Sequence, residues 1–267
     1  MAEDSESVLP TGWLDDLFDK ADLEGSFRAL EGCEHFHAET MRGRIRSLQS
    51  RVREASDHFA RSLALCVKEE KTIPTLLRRV ICTVYNVENE ILKGAVDRNI
   101  VPETWLPEVP RQVLTKHPKL GFALHLARAA EGLVRINVGD FQISKQIFTD
   151  LIETESTRPR ESTFDVLAMY YLGLAASLHN LGCRDQAGKN IENAELCVQS
   201  GGRLLNRARA AGCLYAFHTY LENRRSAQDW KAFLEQIACP RLTRDAFLDR
   251  GRLLAERCNQ QANLVVF

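Results

Sequence analysis

Three stretches of this chain lie over one another at a constant step of 43 residues, and that repetition limits the fold more than any other feature. The first reads EGLVRINVGDFQISKQIFTDLI, the second ASLHNLGCRDQAGKNIENAELC and the third FHTYLENRRSAQDWKAFLEQI. At this step Asn137, Asn180 and Asn223 coincide. So do the apolar positions Phe148, Ile191 and Leu234, and the positions Leu151, Ala194 and Ile237. A unit of this size cannot bury its own apolar face, so it must stack on its neighbours.

The units are helical. Apolar residues recur at helical spacing, and no sustained apolar–polar alternation marks a strand. Near the start, Trp13, Leu14, Leu17 and Phe18 share one face of a short acidic amphipathic segment. From Met41 the apolar positions Ile45, Leu48, Val52, Ala55, Phe59, Leu63 and Cys66 step by three and four residues, which predicts one long helix with a heptad-like seam. That seam suits either one arm of an antiparallel hairpin or self-association through a coiled coil. A second arm is expected from about Pro74 to Val96, with Pro74 in its first turn. Pro102, Pro107, Pro110 and Pro118 then interrupt the chain. The expected organisation is an N-terminal helical segment over 1–96, a proline-containing linker over 97–119 and a helical repeat array over 120–262, its last helix, near 244–259, acting as a cap.

The second unit resembles a tetratricopeptide repeat. Tyr171, Leu174, Ala175 and Leu178 occupy the family's first-helix positions, Gly182 its turn, and Ala187, Ile191 and Ala194 the small, large and small positions of the second helix. Small residues let paired helices approach, and a large one fills the space opposite. The first unit matches through Gly132, Gly139, Asp140, Phe141 and Phe148, but has Arg128 and Ser144 at departures. The third keeps Leu214, Phe217, Leu221 and Leu234. At the same step, however, it has Arg225 for the turn glycine and Trp230 at a small-residue position. The resemblance covers about 120–238 and is to the longer variants of the repeat. It implies an all-α fold of antiparallel helix pairs stacked as a right-handed superhelix, and a concave groove lined by the first helices. Carried onto this chain, the groove residues are Leu126, Ala129, Leu133, Ile136 and Asn137, then Met169, Leu172, Ala176, His179 and Asn180. These are largely apolar. Such a groove either holds a partner peptide or amphipathic helix or is filled by the chain's own N-terminal helices. The asparagines add a polar rung per unit, able to bond a peptide backbone.

Catalytic constellations amount to near misses. The run from Gly182 to Lys189 has one residue too many between its glycines for a phosphate loop, and Asn190 follows the lysine. No GxSxG or HExxH occurs. Cys33 and His37 would share a face if the segment is helical, offering two metal ligands where structural zinc takes four. Arg42, Arg46 and Arg53, with Arg44 and Arg51, crowd one helix. They spread around it without interleaved aromatics, as a solvated surface would, or a patch for an acidic partner. The apolar run from Asn263 to Phe267 is expected to pack on the last helix.

Eight cysteines without a CxxC pair fit a reducing, intracellular compartment, cytoplasmic or nuclear. The acidic start lacks a signal-peptide pattern, and no apolar run is long enough for a membrane span. A net charge of -1 argues against a nucleic-acid coat. The expected function is a scaffold or adaptor that binds protein partners, with no cofactor and no catalysis. The alternatives are a regulatory sensor of a small peptide or effector, and a metalloprotein or enzyme centred on Cys33 and His37.

Overall fold

In the computed structural model, the described residues are 17, 19–66, 73–94, 118–156 and 163–266. They form eleven helices and no strand. Four lie before the proline-containing stretch: α1 (Leu23–Ala29), α2 (Phe36–Leu48), α3 (Val52–Cys66) and α4 (Ile73–Lys93). Seven follow it: α5 (Pro118–Asn137), α6 (Phe141–Ser156), α7 (Thr163–Asn180), α8 (Arg184–Ser200), α9 (Leu204–Tyr220), α10 (Arg224–Gln236) and α11 (Arg241–Gln261). The pairs α5–α6, α7–α8 and α9–α10 stack, so that α5, α7, α9 and α11 touch in succession and form an inner row. This is an all-α helical-repeat architecture.

Residues with small side chains let the rows close. The Phe148 ring on α6 lies where a Cβ on Gly132 of α5 would come within 2.7 Å of it, and one on Gly173 of α7 within 2.4 Å. One large ring thus fills the space that two glycines leave, and Phe148 is 1% exposed. At the α9–α11 crossing the close neighbour is backbone: a Cβ on Gly251 would meet the Gly212 backbone oxygen at 2.9 Å.

The repeat is real but its step changes. Gly139, Gly182 and Glu222 each end a first helix in the left-handed region, at φ 87°, 81° and 56°. The next amide of each turn bonds in the same pattern, from Asp140 to Arg135, Cys183 to Leu178 and Asn223 to His218. The first step is therefore 43 residues and the second 40. The uniform step of the sequence alignment fails in the third unit. Its small residue is Ala227, which is buried, and not Trp230. Asn223 is no rung: its side chain caps α10, and Tyr220 stands where Asn180 does. A three-residue slip is nearly one helical turn, so the apolar stripe falls on the same face at either step.

The N-terminal half departs from its expected form. The long helix from Met41 is two helices, broken at Ser50, which has φ 60°. Its heptad-like seam folds back on itself: Met41, Ile45, Leu48, Ala55, Phe59 and Cys66 are all buried in one chain. The seam is used internally, by α2 packing on α3, and offers no continuous stripe for a coiled-coil partner. The expected second arm is α4, beginning at Ile73 and ending at Lys93. Asn89 ties it to α3 by donating to the Val52 carbonyl at 3.0 Å and the Ser56 hydroxyl at 2.9 Å. The 97–119 stretch lies outside the described residues except for its last two positions, which begin α5. One apolar core nevertheless runs from Leu17 to Val266 and takes in both halves.

Buried charge joins those halves. Glu88 of α4 pairs with Arg44 of α2 and, at 3.1 Å, with Arg209 of α9. The Arg44 guanidinium also lies over the Tyr85 ring, 4.4 Å from its centroid. Beside them, Arg250 of α11 donates to the Ser47 carbonyl at 2.9 Å. Farther along α11, Arg257 bonds the Ile91 and Leu92 carbonyls at the end of α4. At its start, Thr243 donates to the Ala21 carbonyl at 2.7 Å. The last helix is thereby bound along its length to Ala21 ahead of α1, to α2 and to α4.

Burial by itself would raise the Glu88 carboxyl, but Arg209 and then Arg44 outweigh it and hold the group at about 2, against 4.5 ordinarily. Burial, then Arg209 and Arg44, pull Arg250 down to about 9, so it remains a cation at neutral pH.

Three substitutions test the packing and the buried pairing. Phe148→Ala should cost about 3–5 kcal/mol in denaturant unfolding. Gly173→Ala should lose about 1–3 kcal/mol through overpacking, despite a helix-propensity gain of about 1 kcal/mol. Because Glu88 has a depressed folded value, its contribution is present above about pH 4.5 and is lost as pH falls toward about 2. Glu88→Gln should destabilise the chain at pH 7 by about 3–5 kcal/mol, since it strands two buried cations. It should also flatten the acid limb of the stability curve. An acid limb unchanged by the substitution would contradict the pairing.

Candidate binding groove

The polar ends of the inner helices are joined by a segment that follows α11. Asn180, the last residue of α7, meets Leu264 with both ends of its carboxamide. Its Nδ2 donates to the Leu264 carbonyl at 2.7 Å, and its Oδ1 accepts from the Leu264 amide at 2.9 Å. Asn137, the last residue of α5, donates from Nδ2 to the Val266 carbonyl at 3.3 Å, and to the Leu133 carbonyl of its own helix at 2.8 Å. The two equivalent asparagines thus hold alternate residues of one trailing segment.

The segment is part of the core: Leu264, Val265 and Val266 are each 0% exposed. It leaves α11 through Ala262, which sits in the left-handed region at φ 52°. That conformation costs a non-glycine residue roughly 1–2 kcal/mol. The Val265 amide donates to the Cys258 thiol sulfur at 3.5 Å, a weak acceptor. Burying each aliphatic side chain contributes roughly 1.5–3 kcal/mol, against roughly 1–2 kcal/mol per residue to order the backbone. The seat is therefore favourable by a modest margin.

The expected groove residues are distributed as follows. Leu133, Ile136, Leu172 and Ala176 are core residues, none more than 5% exposed. Ala129 and Met169 are half-buried against that core. Leu126 turns instead toward α4 and packs on the cluster of Val80, Val84, Ala127 and Ala130. His179 sets its ring edge-on to Tyr220 at 5.9 Å. Only Asn137 and Asn180 present their polar groups to a bound segment. The trailing segment covers the polar ends of this face, and an N-terminal helix also lies against the inner row: α4 packs on α5 at Ala127 and Ala130, and its Glu88 reaches Arg209 of α9. Of the expected docking segment, Trp13, Leu14 and Phe18 lie outside the described residues, and Leu17 is fully buried in the core.

The arginine crowd on α2 is neither a solvated face nor an open patch. Arg42 donates to the Cys33 carbonyl at 2.6 Å and pairs with Glu39. Arg46 lies over the Phe27 ring at 3.5 Å and pairs with Glu24 and Glu54, each at 3.2 Å. These are α1–α2–α3 braces, and Arg53 alone of the three candidate residues is exposed. The Cys33 and His37 pairing also changes. The helix begins at Phe36, so Cys33 precedes it and does not share its face. His35 is the cap: its Nδ1 accepts the His37 amide at 3.1 Å. Burial, then Arg78 and His35, bring the His37 imidazole down to about 4.

Elsewhere, His218 of α9 and the Trp230 indole of α10 both reach the same Glu195 oxygen at 2.8 Å. The His218 bond holds that carboxyl below its usual value. A shallow cleft of about 260 Å³ opens there, lined by Glu195, Gln199, Ser226, Asp229, Trp230 and Phe233. A second, of about 380 Å³, lies between α6 and α8 over Leu174 and Leu178. Burial raises the thiols of Cys82, Cys197, Cys213, Cys239 and Cys258, which suits packing and not nucleophilic attack. Among the described residues, no three His, Cys, Asp or Glu side chains gather as a metal site, and no helix is long and apolar enough to cross a membrane.

Asn180→Ala removes both bonds to Leu264 and should cost about 1–3 kcal/mol. Asn137→Ala, which removes one longer bond, should cost less. Hydrogen exchange at the Leu264 amide should accelerate in the first variant while the α7 amides stay protected. Unchanged Leu264 protection would show that Asn180 does not hold the segment. Compared with protein-family models, with curated proteins and with solved structures, the chain matches none.

Proposed function

We propose that this chain is a tetratricopeptide-like adaptor or scaffold subunit that binds a protein partner through the inner-helix face ending in Asn137 and Asn180. One observation carries the reading: two equivalent asparagines bond the main chain of a segment laid across successive repeats. A carboxamide offers a donor and an acceptor together, so it suits a peptide backbone of any sequence. The family resemblance of 120–238 supports the same reading. The apolar residues first assigned to the groove serve packing, so the recognition elements are the polar rungs and the aliphatic seat beside them.

Affinity capture from native cell extract tests this. The wild-type chain should retain a stoichiometric protein partner. The pair Asn137→Ala and Asn180→Ala should reduce that capture about tenfold or more, the equivalent of about 1.4 kcal/mol, with the helical circular-dichroism signal intact. Equal capture by a folded double variant would sink the reading, as would the absence of any stoichiometric partner. Leu133→Glu and Leu172→Glu are poor probes, because both side chains lie in the core and a carboxylate there would unfold the chain.

A further inference from the structure

We propose that the seat of Leu264–Val266 accepts an extended aliphatic segment of a partner protein, and that this chain's own segment is the occupant it displaces. The inference rests on the adaptor reading and names the chemistry of its ligand: an unfolded stretch of three consecutive aliphatic residues rather than an amphipathic helix.

The bonding shows why such a stretch fits. Asn180 takes both the N–H and the C=O of Leu264, and Asn137 takes the C=O of Val266, two residues on. In an extended chain those two residues face the same way. A helix bonds its own backbone groups and would leave both carboxamides without these partners. The contacts are to main chain, so they transfer to any segment in this conformation. Selectivity comes from the side chains: all three are fully enclosed, which admits Leu, Val or Ile and rejects a charged residue.

The manner of attachment shows why the occupant can exchange. The segment is joined to α11 by Ala262 in a conformation that disfavours a side chain, and among the described residues the amide of its middle residue bonds only the weakly accepting Cys258 thiol. The helices around it are held differently, by the Glu88 pairs, the Arg250 and Arg257 carbonyl bonds and the glycine contacts. Release of Leu264–Val266 breaks none of these.

The test uses the full chain and a fluorescein-labelled peptide of this protein's own Gln261–Val266 sequence. Leu264→Asp with Val266→Asp should expel the cis segment. This variant should bind the peptide about tenfold or more tightly than wild type does, and adding Asn180→Ala should remove about tenfold or more of that gain. A folded variant that binds no better than wild type would overturn the proposal, as would equal binding of a peptide carrying Asp at the Leu264 and Val266 positions. Should the double Asp variant not fold, exchange of the Leu264 amide in the wild-type chain decides. Release without global unfolding predicts exchange about tenfold or more faster than the slowest α7 amides, and equal rates contradict it. A wild-type dimer by light scattering that is lost on Leu264→Asp would assign the seat to a second copy and overturn the partner proposal. A stoichiometric captured partner that leaves Leu264 exchange unchanged sinks this inference and leaves the adaptor reading standing. Peptide binding to the seat with no captured partner does the reverse.

Discussion

The pairing of one buried carboxylate, Glu88, with arginines from two other helices governs how this chain closes. Arg44 comes from α2, Glu88 from α4 and Arg209 from α9, so a single ionic contact joins the first helices to the third repeat. Desolvation alone would neutralise such a carboxyl. The two guanidiniums keep it ionised, and in turn it compensates their charge in a site where uncompensated cations would be severely unfavourable. The pairing contributes register as much as stability, because the residues come from distant parts of the chain and meet in one arrangement.

That closure determines where the last helix runs. Thr243, Arg250 and Arg257 are spaced along α11 and bond the carbonyls of Ala21, Ser47 and Ile91 in turn. Gly212 and Gly251 let α9 and α11 approach closely enough for this. With α11 so placed, the residues after it emerge beside the ends of α5 and α7, where Asn137 and Asn180 wait. A repeat array with a free last helix would have no reason to deliver that segment to those two side chains. The putting together of a charged centre, a pinned helix and an occupied polar face is one chain of cause.

Local features were legible in the sequence. The helical period, the small and large positions around Phe148 and the turn glycines at 139 and 182 all follow from short-range rules, and the structure contains them. The rungs at Asn137 and Asn180 were legible too, because they recur at equal places in two units. The errors came where a short-range rule was ambiguous. A three-residue shortening of the third unit preserved the helical stripe and disguised Asn223 as a rung. The break at Ser50 preserved a heptad spacing across a turn, and so hid a hairpin inside an apparent long helix. The long-range pairings were out of reach. Nothing local distinguishes Arg44, which pairs with Glu88, from Arg53, which is exposed on α3. The aliphatic run after α11 was visible as apolar, and its weak tie to Cys258 agrees with packing on the last helix. Its bonds to the asparagines, 84 and 129 residues away, could be read only from the fold.

The account turns on one bond pair, the carboxamide of Asn180 against the backbone of Leu264. Through-hydrogen-bond scalar coupling in the isotope-labelled full chain measures it directly. A resolved coupling between the Leu264 amide nitrogen and the Asn180 side-chain carbonyl carbon, with extended-chain shifts for Leu264–Val266, is the result expected. No coupling, with random-coil shifts for those three residues, would contradict the account.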